Sequence, residues 1–372
     1  MPNDTLPHTL DMALHSLTTP VLRQIYFFHD IRIVCQTNHP AILALLETML
    51  GSFPEPARIA GEATYTILCY ENAAQFPVPL PLPRNRVRTD TLRLLTHTRL
   101  KYYRSREDAL LYQSYAALPP VNETALSVID PEQGSALTQI ELPERYQPAF
   151  LRRYVLLLAL GQLMQIYGFE PCHAGAVTAP DNIQQGALIL GSSGSGKTTL
   201  SIGCATVGCG LLGDDLVMLR HDKAQNTIGA YAISHEVAIR SGTLDLLPSL
   251  ASLRTLPADH RDKRYCHSEQ IRTGSTRTYT PIRLLCFPSL TGEATSTVST
   301  VSTVTPLSKA STLQALVDEC LSKKALPFSA QERMFAFLSQ LAEQATGYQL
   351  SIARGSNDGP GIVYSLLTGK TL

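Results

Sequence analysis

Apolar and polar positions alternate in short runs along this chain, and glycine and proline punctuate them. Ile25–Cys35, IYFFHDIRIVC, is rich in aromatic and β-branched residues and predicts a strand pair turning at His29-Asp30. Pro40–Leu50 has helical spacing with proline in its first turn. Ala63–Cys69, Leu92–Tyr103 and Ala109–Tyr115 predict strands. Between them, Phe76–Arg86 holds four prolines and must be an extended loop. Residues 1 to about 24 suggest a helical or loose lead-in. Together these elements predict a small α+β module over residues 1–145.

Ala149–Phe169, AFLRRYVLLLALGQLMQIYGF, is the most apolar segment. Arg152, Arg153, Gln162 and Gln165 interrupt it, and its unbroken run is far below a membrane span, so it predicts a buried helix. That helix is expected to open a second domain, residues 146–372. There, Ala187–Leu190 reads as a buried strand, Thr198–Val207 as a helix stopping at Gly208 or Gly210, and Leu211–Leu219 as one strand. An element over Ile228–Arg240 is followed by a charged stretch, Ala258–Gln270, and a strand at Pro281–Pro288. The Ser-Thr-Val repeat at Thr295–Thr305 reads as a loop or edge strand. Leu307–Leu321 and Ser329–Thr346 are amphipathic helices capped by Ser308 and Ser329, and strand-like pieces end the chain.

A length of 372 residues with 44% hydrophobic content suits two domains or one large one. A formal net charge of zero gives no bulk attraction to nucleic acid or acidic membranes. Eight scattered cysteines form no C-x-x-C pair and fit apolar packing in a reducing compartment. The N-terminus lacks an apolar core of signal-peptide length. The expectation is a cytoplasmic protein without membrane insertion or nucleic-acid binding, with a homo-oligomer left open.

The chemistry concentrates in LILGSSGSGKTTL, Leu188–Leu200. Gly191, Gly196, Lys197 and Thr198 satisfy G-x-x-x-x-G-K-[ST], and Ser192, Ser193, Gly194 and Ser195 fill the space between. Small residues let backbone N–H groups turn inward around a phosphate. A helix beginning there adds its partial positive charge. Lys197 is a point charge for the outer phosphates, the Thr198 hydroxyl a Mg²⁺ ligand, and Thr199 completes the stretch expected to bind ATP.

Asp214 and Asp215 lie sixteen and seventeen positions beyond Thr198, room for one helix and a turn. The next strand would bring both carboxylates to the phosphates and metal. Asp214 can hold Mg²⁺, and Asp215 can accept a proton from an attacking hydroxyl. The bland alternative is a pair that caps a turn. No L-S-G-G-Q or N-K-x-D stretch occurs, which argues against a transport ATPase or a GTPase switch. His173 lies between helix and strand, where a neutral imidazole could orient an aspartate or serve as an ordinary buried histidine. Arg261, Lys263 and Arg264 form either a solvated loop or a cation for a transferred phosphoryl group, with Lys263 the leading candidate.

The run from His173 to Leu219 resembles the catalytic core of the HPr kinase/phosphorylase superfamily, which is similar in fold to ATP-type phosphoenolpyruvate carboxykinases. ISHEVAIRSGTLDLLP and RDKRY extend the resemblance more weakly through Phe287. It implies an α/β fold with a mixed-sheet core containing the phosphate loop. It also implies that His173 is catalytic, that Lys197 and Thr198 bind phosphate and metal, and that Asp215 is the proton acceptor with Asp214 beside it. In the family's L-E-x-R-G stretch a glutamate helps bind metal. Here VAIRSG, Val237–Gly242, offers Ala238 at that place, with Glu236 two residues earlier on the same strand face. The family's substrate-recognition loop and C-terminal regulatory helix have no counterpart, which leaves the acceptor and the reverse, phosphorylase reaction open.

The expected activity is transfer of the γ-phosphoryl group of ATP, with Mg²⁺, to a hydroxyl, on a serine of a small protein or peptide or on a small molecule. A nucleotide-binding accessory role without kinase activity and an ATPase driving conformational change are the alternatives.

Overall fold

The computed structural model describes residues 14, 19–78, 86–93, 98–105, 111–117, 124–146, 148–222, 225–259, 261–291, 302–321 and 328–370. They divide into two compact units, Met1–Phe169 and Glu170–Leu372.

The first unit is built on one eight-stranded sheet. Its strands are β1 (Leu22–Phe28), β2 (Ile31–Thr37), β3 (Gly61–Tyr70), β4 (Arg86–Arg93), β5 (Thr98–Ser105), β6 (Leu111–Ala117), β7 (Thr124–Asp130) and β8 (Ser135–Glu141). Their order is β1-β2-β3-β8-β7-β6-β5-β4. β1 and β2 form the expected hairpin, with Phe28 opposite Ile31 and His29 in the left-handed region. The helix Pro40–Leu50 carries the chain across so that β2 and β3 pair in parallel. The run expected as one strand at Leu92–Tyr103 is instead the end of β4 and the start of β5, paired antiparallel. Most of the proline-rich loop lies outside the described residues.

The apolar segment after residue 148 is helical, with a π-helical stretch at Leu151–Leu156 leading into Leu157–Gln165. It belongs to the first unit, not to the second domain expected from residue 146. Its Leu157–Gln165 part packs on β7 and β8. Leu160, Leu163 and Met164 are fully buried there, and Tyr65 of β3 reaches both Thr138 and the Leu156 carbonyl. Burial against this sheet decides the helix's allegiance. Among the described residues no helix is long and apolar enough to cross a membrane.

The second unit holds a nine-stranded mixed sheet and a separate two-stranded one. The large sheet contains β9 (Glu170–Cys172), β10 (Ala174–Ala179), β11 (Asn182–Leu190), β12 (Gly210–Gly213), β13 (Val217–Asp222), β14 (Thr227–Ala232), β17 (Tyr279–Thr291), β18 (Thr303–Pro306) and β19 (Thr346–Ala353). The small sheet pairs β15 (Glu236–Arg240) with β16 (Lys263–His267). β11 and β19 pair with β17 in parallel, and most other ladders are antiparallel. The charged stretch Ala258–Gln270 therefore contains a strand. The C-terminus holds a helix, Asp358–Thr368, where only strands were expected; Pro360 sits in its first turn, where proline is tolerated. The helix Lys309–Cys320 is capped by Ser308 as expected, whereas Phe328–Gln344 begins one residue ahead of Ser329. Of the Ser-Thr-Val repeat, the part before residue 302 lies outside the described residues.

The core of this unit joins Val177, Ile189, Leu200, Cys204, Val237, Ile239 and Val363. It lies between the sheet, the helices Lys197–Thr206 and Asp358–Thr368, and the small ladder. All eight cysteines are buried and form no disulfide, matching their apolar sequence contexts.

Candidate functional site

β11 ends at Leu190, and the helix Lys197–Thr206 begins seven positions later. Between them the backbone takes left-handed values at Gly194 (φ 88°) and Gly196 (φ 95°), which side chains with a Cβ strongly disfavour. Gly196 is also the N-cap, and its carbonyl accepts from the Leu200 N–H. A Cβ at Gly194 would meet nothing within 4 Å, so the loop presents bare backbone to open space. Lys197 is buried and its Nζ donates to the Gly191 and Ser192 carbonyls at 2.5 and 3.1 Å. The buried Ser195 hydroxyl has no hydrogen-bond partner among the described residues.

The helix behind the loop is seated unusually closely. A Cβ at Gly175 of β10 would lie 1.9 Å from Ser201 Oγ. At the other end, Arg272 donates to the Ala205, Gly208 and Cys209 carbonyls, satisfying the helix C-terminus.

Two chain segments meet the loop. Ala174 of β10 pairs with Leu190 of β11, so His173 stands level with Gly191. β10 pairs on its other side with β12, Ala176 opposite Gly213, while β9 pairs with β13, Cys172 opposite Val217. The segments 170–179 and 210–222 thus run antiparallel and both leave the ladder at one level, one at His173 and the other at Asp214–Leu216. The strand expected over Leu211–Leu219 is therefore two strands, broken at the aspartates. Because β12 and β13 take different neighbours, the residues between them leave the ladder.

Asp214 is buried, and Asp215 is partly exposed. His173 Nδ1 lies 3.4 Å from Asp215 Oδ1, and Lys263 Nζ lies 3.9 Å from Asp215 Oδ2. The sequence candidates His173, Asp215 and Lys263 are therefore together, although Lys263 is 48 positions beyond Asp215. Thr198 is partly buried in the first turn of the helix. Thr199, the last residue of the expected nucleotide-binding stretch, shares a 2.9 Å hydrogen bond with Thr243.

Lys263 is held by side chains that sequence reading passed over. Asp259 Oδ1 accepts from the Arg261 and Lys263 backbone N–H groups, and its Oδ2 accepts from the Tyr265 hydroxyl. Asp262, with φ 60°, accepts from the backbone N–H and hydroxyl of Ser241 and from Arg264. Those bonds, led by the Ser241 hydroxyl, hold its carboxyl down at about 2. An aspartate bonded to amides two to four residues on is a recognisable turn signal. The Asp262–Ser241 link spans 21 positions and has no local signature. Opposite residues in the small ladder place Glu236 and Ala238 on one face with Lys263. Burial, then the charges of Asp214 and Glu236, push the Cys266 thiol up to about 12, so a reactive thiolate is not part of this site.

No protein-family model matches this chain, and no curated protein matches it. Among solved structures the chain is distantly similar to the HPr(Ser) kinase/phosphatase from Coxiella burnetii. That likeness has a TM-score of 0.30 and 12% identity, over 54% of this chain and 89% of that one.

Proposed function

We propose that the chain is a kinase that binds ATP with Mg²⁺ on Gly191–Thr199 and transfers the γ-phosphoryl group to a hydroxyl. The acceptor is a serine of a small protein or peptide, or a small-molecule hydroxyl. The observation that carries this reading is Asp215 standing between His173 and Lys263, with His173 level with the first glycine of the loop.

The residues present suit the nucleotide. The open backbone over Gly194, the helix N-terminus and the buried Ser195 hydroxyl are donors in want of an anion. Lys197 would exchange its two loop carbonyls for phosphate oxygens. The Thr198 hydroxyl and Asp214 carboxylate are hard oxygen donors of the kind Mg²⁺ prefers, and when bound the ion neutralises developing phosphate charge. Among the described residues no three His, Cys, Asp or Glu side chains cluster as a metal site, and an ion completed by phosphate and water needs none.

In the transfer, the acceptor hydroxyl oxygen forms the new bond to phosphorus as the bond to the bridging oxygen breaks and ADP departs. The hydroxyl proton passes to a carboxylate oxygen of Asp215. His173 orients that carboxylate from one side. Lys263 places a cation on the other, where charge moves during phosphoryl transfer.

The test is product analysis with γ-labelled ATP, Mg²⁺ and a panel of serine peptides and small hydroxy compounds, beside calorimetry of ATP binding. Label on an acceptor supports the kinase. Free phosphate alone indicates an ATPase, and binding without turnover indicates an accessory protein. ATP affinity unchanged in Lys197→Ala would remove the basis of the whole reading.

A further inference from the structure

The small ladder of β15 and β16 has two unlike faces. Val237, Ile239 and Cys266 point into the core. The opposite face carries Glu236, Ala238, Arg240, Lys263, Tyr265 and His267, because directly opposed residues share a side and alternate residues repeat it, with Glu236 at the far end of the ladder from Arg240. This face meets the candidate site, since Lys263 reaches Asp215 from it.

Arg240 is paired in register with Lys263, so their Cβ atoms are about 5 Å apart. The two cations differ in their surroundings. Lys263 has the Asp215 carboxylate, and Arg264, on the other face, is tied to Asp262 and Ser241. Arg240 is exposed and, among the described residues, makes no ion pair. Its backbone is fixed at the junction of β15 and the helix Ser241–Leu246. A guanidinium held on a strand end is a preorganised fork for two oxygens of a carboxylate or phosphate.

Resting on the kinase reading, we propose that Arg240 selects the phosphoryl acceptor by binding an anionic group, carboxylate or phosphate, carried close to the hydroxyl that Asp215 deprotonates. Arg240 touches the acceptor and not the nucleotide. Neutral acceptors offer Arg240 no charged partner, and cationic acceptors are repelled by its guanidinium.

The experiment measures binding to the full chain saturated with Mg²⁺ and a non-hydrolysable ATP analogue. One arm uses serine peptides flanked by Glu, Gln or Lys. The other uses glycerol, glycerate and glycerol phosphate, which separates an acidic peptide from a small anionic metabolite. In one arm the anionic probe should bind tighter than its neutral counterpart by about tenfold, the scale of one charge-assisted hydrogen bond. Arg240→Gln should erase that preference, and Arg240→Glu should turn it toward the Lys-flanked peptide, with affinity for the ATP analogue unchanged in both. Anionic and neutral probes behaving alike, including none binding, overturns the proposal, as does a preference that survives Arg240→Gln. Transfer of label is scored separately. Transfer to no probe counts against the kinase, whereas transfer indifferent to Arg240 counts only against this assignment.

Discussion

His173 and Asp215 are 42 positions apart, yet the histidine Nδ1 lies 3.4 Å from the aspartate Oδ1. The contact follows from β9–β10 and β12–β13 breaking their ladders at the same level. Asp215→Asn keeps the size of the side chain and removes the base. ATP affinity should stay near normal while phosphoryl transfer falls by about 10²–10⁴-fold. Asp214→Asn should instead weaken nucleotide binding and its Mg²⁺ dependence together. Both are read by titrating Mg²⁺ in binding and transfer assays, and a parental transfer rate in Asp215→Asn would refute the proposed mechanism.

The loop helix is seated through Gly175. Gly175→Ala would force a Cβ to within 1.9 Å of Ser201 Oγ, and overpacking of this kind costs about 1–3 kcal/mol. Adding Ser201→Ala removes that oxygen but leaves the two Cβ atoms 3.0 Å apart, so the double variant should recover part of the loss. Denaturant midpoints measure it. Additive effects in the double variant would mean that the helix does not pack there.

His235 is buried, and burial, with His267 nearby, pushes its imidazole down from 6.5 to about 4. Below pH 6.5 the unfolded chain protonates this ring, while the folded chain does not until about pH 4. Stability is therefore complete above 6.5 and falls between 6.5 and 4, by about 3 kcal/mol in all. Glu269, held down to about 2 mainly by its bonds to Thr276 and Gly274, adds its own loss only below 4.5. His235→Gln should flatten the profile between pH 6.5 and 4. An unchanged slope in that variant would place the titration elsewhere.

Cys172 and Cys320 are 148 positions apart with their sulfurs 3.9 Å apart. A thiol oxidant such as diamide should join them within one molecule, seen by mass spectrometry as a loss of two hydrogens and absent from Cys172→Ala. Failure to crosslink under partial denaturation, where access is not limiting, would show that β9 and the end of the helix Lys309–Cys320 are not neighbours.

The strand, loop and helix over Leu188–Leu200 were legible in the sequence because their determinants are local. Gly194 and Gly196 permit left-handed backbone, an apolar run precedes them, and helix-forming residues follow, so strand, loop and helix appear where the pattern puts them. The hairpin at His29-Asp30, the helix Pro40–Leu50 and the Ser308 cap were legible for the same reason. Burial of the cysteines followed from their apolar neighbours.

Tertiary structure alone decided the rest. Nothing near residue 214 shows that Leu211–Leu219 must break, since β12 and β13 separate only because β10 claims one and β9 and β14 the other. The apolar pattern of the helix after residue 148 does not name the sheet it covers, and packing on β7 and β8 assigned it to the first unit. Lys263 reaches Asp215 through a ladder with β15 and through an Asp262–Ser241 link 21 positions long. Backbone preference is set by a residue and its immediate neighbours, whereas strand partnership is set by which apolar faces can be buried together across the whole unit.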